Sequence, residues 1–272
     1  VGTGGYVSWP AVKAASKLEI PTLIHEQNAY PGVTTRMLSK YADRICISFD
    51  GSERYFDASV RHKLLLTGNP IVVDRITRQD ARRRLGIAPE EPFILSYGGS
   101  MGADRVNELV FELIEKYSLP RGIRHSHAIG RVGFERFRNI ARQKGFDRAE
   151  KVSVQEYIYD MPIQQAAADV IICRAGAMTL AELAVRGKAA VLIPSPNVAE
   201  NHQYYNALEL QKAGAAVVIE EKNLTGDGLV KTVETLLTTP GKLAEMGANA
   251  KTLGNPHSLD LITEKLLKLV NG

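Results

Sequence analysis

The sequence predicts an α/β protein with parallel sheets and helices on both faces. Short apolar runs alternate with helix-like stretches almost throughout, the pattern of strand–helix–strand units. Several of the runs end on Gly, Ser or Asn, as strand-to-helix turns do. At 272 residues the chain is long enough for two domains of ordinary size.

In chain order, the expected strands are PTLIHE, DRICISF, KLLLTG, FILSYGG, VSVQEYI, DVIICRAG, AAVLIPSP and AAVVIEE. The helix-like stretches cover 11–18, 34–41, 104–116, 134–144, 179–186, 201–213, 228–238 and 241–252, with an amphipathic last helix over 258–270. A break falls at TGNPIVVDRI, where Asn69-Pro70 signals a turn and the following TRQDARRRLGIAPEEP is charged and strand-free. The domain boundary is therefore set between 73 and 74. The opening VGTGGYVSWP has the form of a loop after a strand and carries no initiator methionine, so the sequence is read as a fragment whose first part has been removed.

Composition narrows the function. Hydrophobic residues make up 44% and charged residues 24%, values typical of a globular domain. No apolar run approaches a membrane span. Cys46 and Cys173 lie far apart in apolar runs, as buried thiols do, and no Cys or His spacing suits a metal. The net charge of +4 tolerates anionic partners, but no aromatic-interleaved basic stripe points to nucleic acid.

Three glycine-rich turns follow strands: GTGGYVS (2–8), YGGSMGADR (97–105) and RAGAMTLAE (174–182). At such junctions free amides and the helix dipole attract phosphate. Two of them in one domain suggest a diphosphate between them. None is a good dinucleotide fingerprint, since GTGGYV lacks the third glycine, and none has the Gly-Lys-Ser/Thr of a P-loop. Thr179 and Glu182 have the spacing of a capping box; Glu182 is equally placed to accept a ribose diol, and Arg174 to face phosphates. In SPNVAENHQYYNA, His202, Gln203 and Asn206 offer hydrogen bonds to sugar hydroxyls, or form an ordinary polar helix start. In IHEQNAYPG, His25 and Glu26 are an acid–base pair or else a loop anchor, since strand neighbours face opposite sides.

Taken in order, GGYVSWP, IPTLIHEQNAYPG, TGNP, GGSMGADRVNE, ICRAGAMTLAEL and NHQYYNALELQKAGAA resemble the MurG family of bacterial glycosyltransferases over nearly the whole chain. The resemblance implies a GT-B fold of two Rossmann-like domains, the N-terminal one incomplete. Residues 1–73 would be what remains of the acceptor and membrane-side domain, 74–256 the UDP-sugar domain, and 257–272 a helix crossing back. It implies transfer of N-acetylglucosamine from UDP-GlcNAc to the C4 hydroxyl of MurNAc in lipid I, with inversion and no resident metal or cofactor, at the cytoplasmic face of an anionic membrane.

By the same resemblance the backbone of Ile158 meets uracil and Glu182 the ribose. Ser100 and the turn Ala177, Met178 and Thr179 lie by the diphosphate, and Arg174, Gly176, Leu180 and Ala181 belong to the same donor site. His202 and Gln203 contact the sugar, Gly4, Gly5, Tyr6 and Asn28 the acceptor, and Glu26 is the base that remains. The chain departs from the family pattern at Val72, where an arginine is usual and Arg75 is a substitute, at Met101 in place of glutamine, and at Trp9 in place of glycine. Two rivals stay open: a UDP-sugar-binding module that needs a partner chain, and a UDP-GlcNAc 2-epimerase of the same design.

Overall fold

The computed structural model describes every residue except Val73, Arg75 and Gly272; the expected substitution by Arg75 lies outside the described residues. Among the described residues nine strands form two parallel sheets. The first holds β1 (Leu23–Glu26), β2 (Arg44–Ile47) and β3 (Leu64–Leu66) in that order, with α1 (Ser8–Lys17) and α2 (Val33–Leu38). Gly2 adds an isolated parallel bridge to Ile24, so the opening glycine segment lies alongside β1. Val12, Ile24, Leu38, Ile45 and Phe56 form this unit's core.

The second sheet runs β6 (Val152–Gln155), β5 (Arg124–Ala128), β4 (Phe93–Tyr97), β7 (Val170–Cys173), β8 (Ala189–Leu192), β9 (Ala216–Val218). Its helices are α3 (Arg78–Leu85), α4 (Asp104–Leu113), α5 (Phe134–Gln143), α6 (Met161–Ala167), α7 (Ala177–Arg186), α8 (His202–Lys212), α9 (Gly226–Thr238) and α10 (Lys242–Leu253). Alternate residues of β4 and β7 feed separate cores on the two faces, as a period of two requires: Ile94, Val170 and Ile172 on one, Phe93, Leu95, Ile171 and Cys173 on the other. Both cysteines are buried and unpaired, and burial pushes the Cys173 thiol up to about 12. From β4 the chain builds outward through β5 and β6, then returns to place β7 on the other side of β4. The order thus reverses between β4 and β7, and a crevice opens beyond their carboxyl ends.

Three elements differ from expectation. Strand β5, RHSHA, is polar where a central parallel strand usually reads apolar. Helix α3 occupies the charged stretch read only as strand-free, starting from a Thr77 hydroxyl that accepts from the Asp80 amide and ending on left-handed Gly86. Helix α6 begins with Pro162 in its first turn, where a missing N–H is harmless. The last helix, α11 (Ser258–Asn271), starts against the first sheet: Asn255 Nδ2 donates to Thr67 O at 2.9 Å, and Ser258 is buried.

Candidate active site

A cavity of about 300 Å³ occupies the crevice where the strand order reverses. Tyr97 and Ala128 line it at the strand ends, Gly99 and Ser100 on one side, and Glu156, Tyr157 and Ile158 from the loop after β6 on another. Thr179 and Glu182 of α7 complete it, with Gln165, Arg186, Asp74 and Val72 behind. Ile158 is buried by its side chain, while its own N–H and C=O make no main-chain hydrogen bond among the described residues. The Gly98–Gly102 turn sits where only glycine fits. A Cβ on Gly130 would stand 2.2 Å from the Gly102 nitrogen, and both residues have positive φ.

Helix α7 starts three residues earlier than the capping box requires. Gly176 is its N-cap and no side chain caps it, so Thr179 sits inside the first turn. The helix-start amides, including those of Ala177 and Met178, therefore keep their free donors. Glu182 is released from any capping role: its Oε2 accepts from Gln165 Nε2 at 3.0 Å. Leu180 is packed in the core, and Leu180 and Ala181 line the crevice between the two sheets rather than the cavity.

Behind Glu182 the polar contacts continue. Gln165 Oε1 accepts from Arg186 Nε at 3.2 Å, and Arg186 grips Asp74 with both terminal nitrogens. That guanidinium holds the Asp74 carboxyl below its usual range. Arg174, expected near phosphate, is placed otherwise. Its guanidinium donates to the carbonyls of Ile193 and Pro194 and pairs with Glu221, so it braces the ends of β8 and β9. Gln203 also serves the loops, its Oε1 accepting from the amides of Ala175 and Ser195. His202 lies 3.3 Å from Glu200 through Nε2.

On the first sheet, Glu26 is not free to act as a base. Its oxygens accept from Asn28 N, Asn28 Nδ2 and Gly32 N at 3.0–3.2 Å, and the residue is 3% exposed. A carboxylate with three N–H partners ties the 26–32 loop together. His25 donates through Nε2 to Gly68 O and accepts from Gln27 at Nδ1; burial lowers its pKa and keeps it neutral. Gly4 and Gly5 take positive φ, and Tyr6 is exposed.

Asn28 faces the other domain instead of open space. Asn206 Nδ2 donates to Asn28 Oδ1 at 3.1 Å, and the Ala29 amide donates to Asn206 Oδ1 at 2.8 Å. Tyr30 stacks on Tyr205 at 5.1 Å, and Arg36 pairs with Glu200. The loop after β1 is thus docked on the start of α8. Trp9 is half-buried, edge-on to Tyr41 and beneath the Lys13 ammonium. Met101 is half exposed, with Arg131 against its sulfur, and Val72 is exposed at the cavity's edge.

Residues 93–262 match the Glycosyltransferase family 28 C-terminal domain, and residues 1–47 its N-terminal domain. A UDP-N-acetylglucosamine–N-acetylmuramyl-(pentapeptide) pyrophosphoryl-undecaprenol N-acetylglucosamine transferase of Acetivibrio thermocellus is 42% identical over 97% of this chain and 71% of its own length. The crystal structure of Acinetobacter baumannii MurG superposes with a TM-score of 0.76 at 31% identity, covering 98% of this chain and 73% of that one. The chain belongs to the MurG family. Its architecture is that family's two Rossmann-like α/β domains. A UDP-GlcNAc 2-epimerase from Neisseria meningitidis, with UDP-GlcNAc bound, shares only the fold, at 14% identity and a TM-score of 0.63, covering 98% of this chain and 75% of that one. Identity therefore sides with the MurG transferases over the epimerase alternative.

Sequence reasoning missed Gln165, Asp74 and Arg186 as parts of the site. A signal existed for the first: Pro162 two residues after Asp160 marks a helix start, and Gln165 lies one turn further. The bridging role of Asn206 had no comparable signal, since it depends on how the two domains meet.

Proposed function

We propose that this chain binds UDP-GlcNAc in the cavity beyond β4 and β7, and that it transfers N-acetylglucosamine to the C4 hydroxyl of MurNAc in lipid I. The observation that carries this is Glu182, half-buried at the cavity and held from behind, beside the uncapped start of α7, in a chain of the MurG family. In this reading the carboxylate accepts the ribose hydroxyls, the backbone of Ile158 meets uracil, and the diphosphate lies between Ser100 and the amides of Ala177–Thr179. His202 lies toward the sugar, and the free amide nitrogen of Gln203 is its available donor. The acceptor oxygen attacks the anomeric carbon as UDP departs. Charge on the leaving diphosphate is met by backbone amides and a helix dipole, with no resident metal or cofactor required. Glu26 acts by shaping the loop that carries Asn28, and Gly4, Gly5 and Tyr6 face the acceptor.

Calorimetric titration with UDP-GlcNAc, UDP-galactose and ADP-glucose tests this reading. Selective binding of UDP-GlcNAc, weakened by Glu182→Ala with circular dichroism unchanged, supports it; no binding by a folded chain rejects it.

A second proposal concerns location, at the cytoplasmic face of an anionic membrane. No helix among the described residues is long and apolar enough to cross a bilayer. Exposed Val33, Met37 and Tyr41 beside Trp9 are flanked by Lys13, Arg36 and Lys40, a combination suited to peripheral contact with acidic headgroups. If the chain stays off anionic vesicles at low salt, this placement is wrong.

A further inference from the structure

Glu182 and Arg186 stand one turn apart on α7, acid toward the N-terminus, the order in which an i,i+4 pair attracts best. Left to themselves they would pair, and the carboxylate would be lost to a ligand. Among the described residues they do not pair. Arg186 spends both terminal nitrogens on Asp74, in a forked arrangement that suits a carboxylate. Its remaining Nε–H points to Gln165 Oε1 at 3.2 Å.

That one contact fixes the amide of Gln165. With its oxygen turned to the guanidinium, its nitrogen faces the other way and donates to Glu182 Oε2 at 3.0 Å and the Tyr97 hydroxyl at 3.3 Å. Gln165 is 2% exposed, so water cannot replace these partners. Glu182 is therefore steadied on one oxygen, and Oε1 accepts no hydrogen bond among the described residues.

Asp74 belongs to neither sheet. It lies on the stretch between β3 and α3 that joins the two domains. The same stretch touches α7 at its other end, where Asn69 Nδ2 reaches Ala177 O at 3.4 Å. The connection between the domains thus holds α7 at its first and last turns.

We propose that Asp74 is a positioning residue for nucleotide recognition: by holding Arg186 away from Glu182 it leaves that carboxylate open to the ribose, and so ties the nucleotide pocket to the position of the interdomain connection. This rests on the reading that Glu182 accepts the ribose hydroxyls. When the connection shifts and Asp74 lets go, Arg186 swings onto Glu182 and the pocket loses its acceptor.

The test compares UDP with 2′,3′-dideoxy-UDP, which offers no ribose hydroxyl to a carboxylate, by calorimetry on the full 272-residue chain. Asp74→Asn should weaken UDP about tenfold, the scale of one charge-assisted hydrogen bond, and 2′,3′-dideoxy-UDP less than about twofold. Adding Arg186→Gln to Asp74→Asn should bring UDP back to within about threefold of the unmodified chain, because the competing cation is gone. A purely structural Asp74 gives the opposite: both nucleotides weakened alike, and the double variant no better than the single. Either result overturns the proposal. Glu182→Gln separates the two levels. If it weakens UDP selectively while Asp74→Asn does not, the ribose reading stands and the role of Asp74 falls. If Glu182→Gln does not discriminate the two nucleotides, the ribose reading itself fails and takes this role of Asp74 with it.

Discussion

Ser96 and Tyr97 are neighbours on β4, yet they open onto two different polar networks, because adjacent strand residues face opposite sides. On the Ser96 side everything is closed. Asn107 Nδ2 donates to Ile129 O, so its Oδ1 accepts from His127 Nε2 at 3.1 Å. His127 Nδ1 then accepts from the Ser96 hydroxyl, whose oxygen accepts from His125 Nε2, and His125 Nδ1 accepts from Ser118. All five residues are 0% exposed, and each ring is neutral with every nitrogen used. On the Tyr97 side the chain Asp74–Arg186–Gln165–Glu182 ends on an oxygen with no partner among the described residues, facing a cavity. The closed network uses up its polar groups within the fold, and the open one leaves an acceptor free at a cavity.

Acid should break the closed side first. Burial lowers His125 well below its usual value and His127 from 6.5 to about 3. Both folded values are depressed, so below pH 6.5 the unfolded chain takes up protons that the folded chain refuses. Stability is then complete above pH 6.5 and falls as pH drops toward 3. At pH 5 the His127 shift alone costs about 2 kcal/mol, and His125 adds to it in the same direction. Urea melts between pH 8 and 5 should show this slope, and replacing both histidines with asparagine should flatten it.

Asn107→Ala is the next largest effect. It leaves His127 Nε2–H and the Ile129 carbonyl unpaired in a dry core, a loss of about 2–3 kcal/mol. UDP affinity should hold at temperatures where the variant stays folded. Glu182→Gln should do the reverse. It should leave the unfolding free energy from urea melts within about 0.5 kcal/mol, since a half-exposed end of a network is solvated either way. It should weaken UDP by about 1.5 kcal/mol, read by calorimetry.

The two networks also differ in how far they could be read from sequence. The open one sits at a glycine turn and a helix start, where RAGAMTLAEL advertises free amides and an acid, so Glu182 was legible. Its exact use was not, because a capping box and a ribose acceptor share the same spacing, and only the observed start at Ala177 removes the capping box. The closed network was invisible. RHSHA has neither the apolar run nor the alternation of a strand, and its burial depends on partners 20 to 31 residues away. Helix α3 was hidden for a related reason: its arginines read as surface, yet Arg82 is 2% exposed and donates to the carbonyls of Ala88, Pro89 and Glu91. Arg174 and Glu26 show the converse error. Charged groups beside glycine turns suggest chemistry, but both are occupied by main-chain groups.

The smallest effect sharpens the comparison most. Val72 is 86% exposed at the edge of the cavity, so it packs against little and a longer side chain there displaces nothing. Val72→Arg places a cation beside the open network without touching the closed one. UDP carries a diphosphate and uridine does not, so the added charge should strengthen UDP about threefold and leave uridine unchanged. Because the position is solvent-exposed, the gain should shrink when salt is raised from 50 to about 500 mM, as screening shortens the reach of the charge. A gain for both ligands alike would mean that the arginine packs on the base or ribose, and that the diphosphate lies elsewhere than between Ser100 and the start of α7.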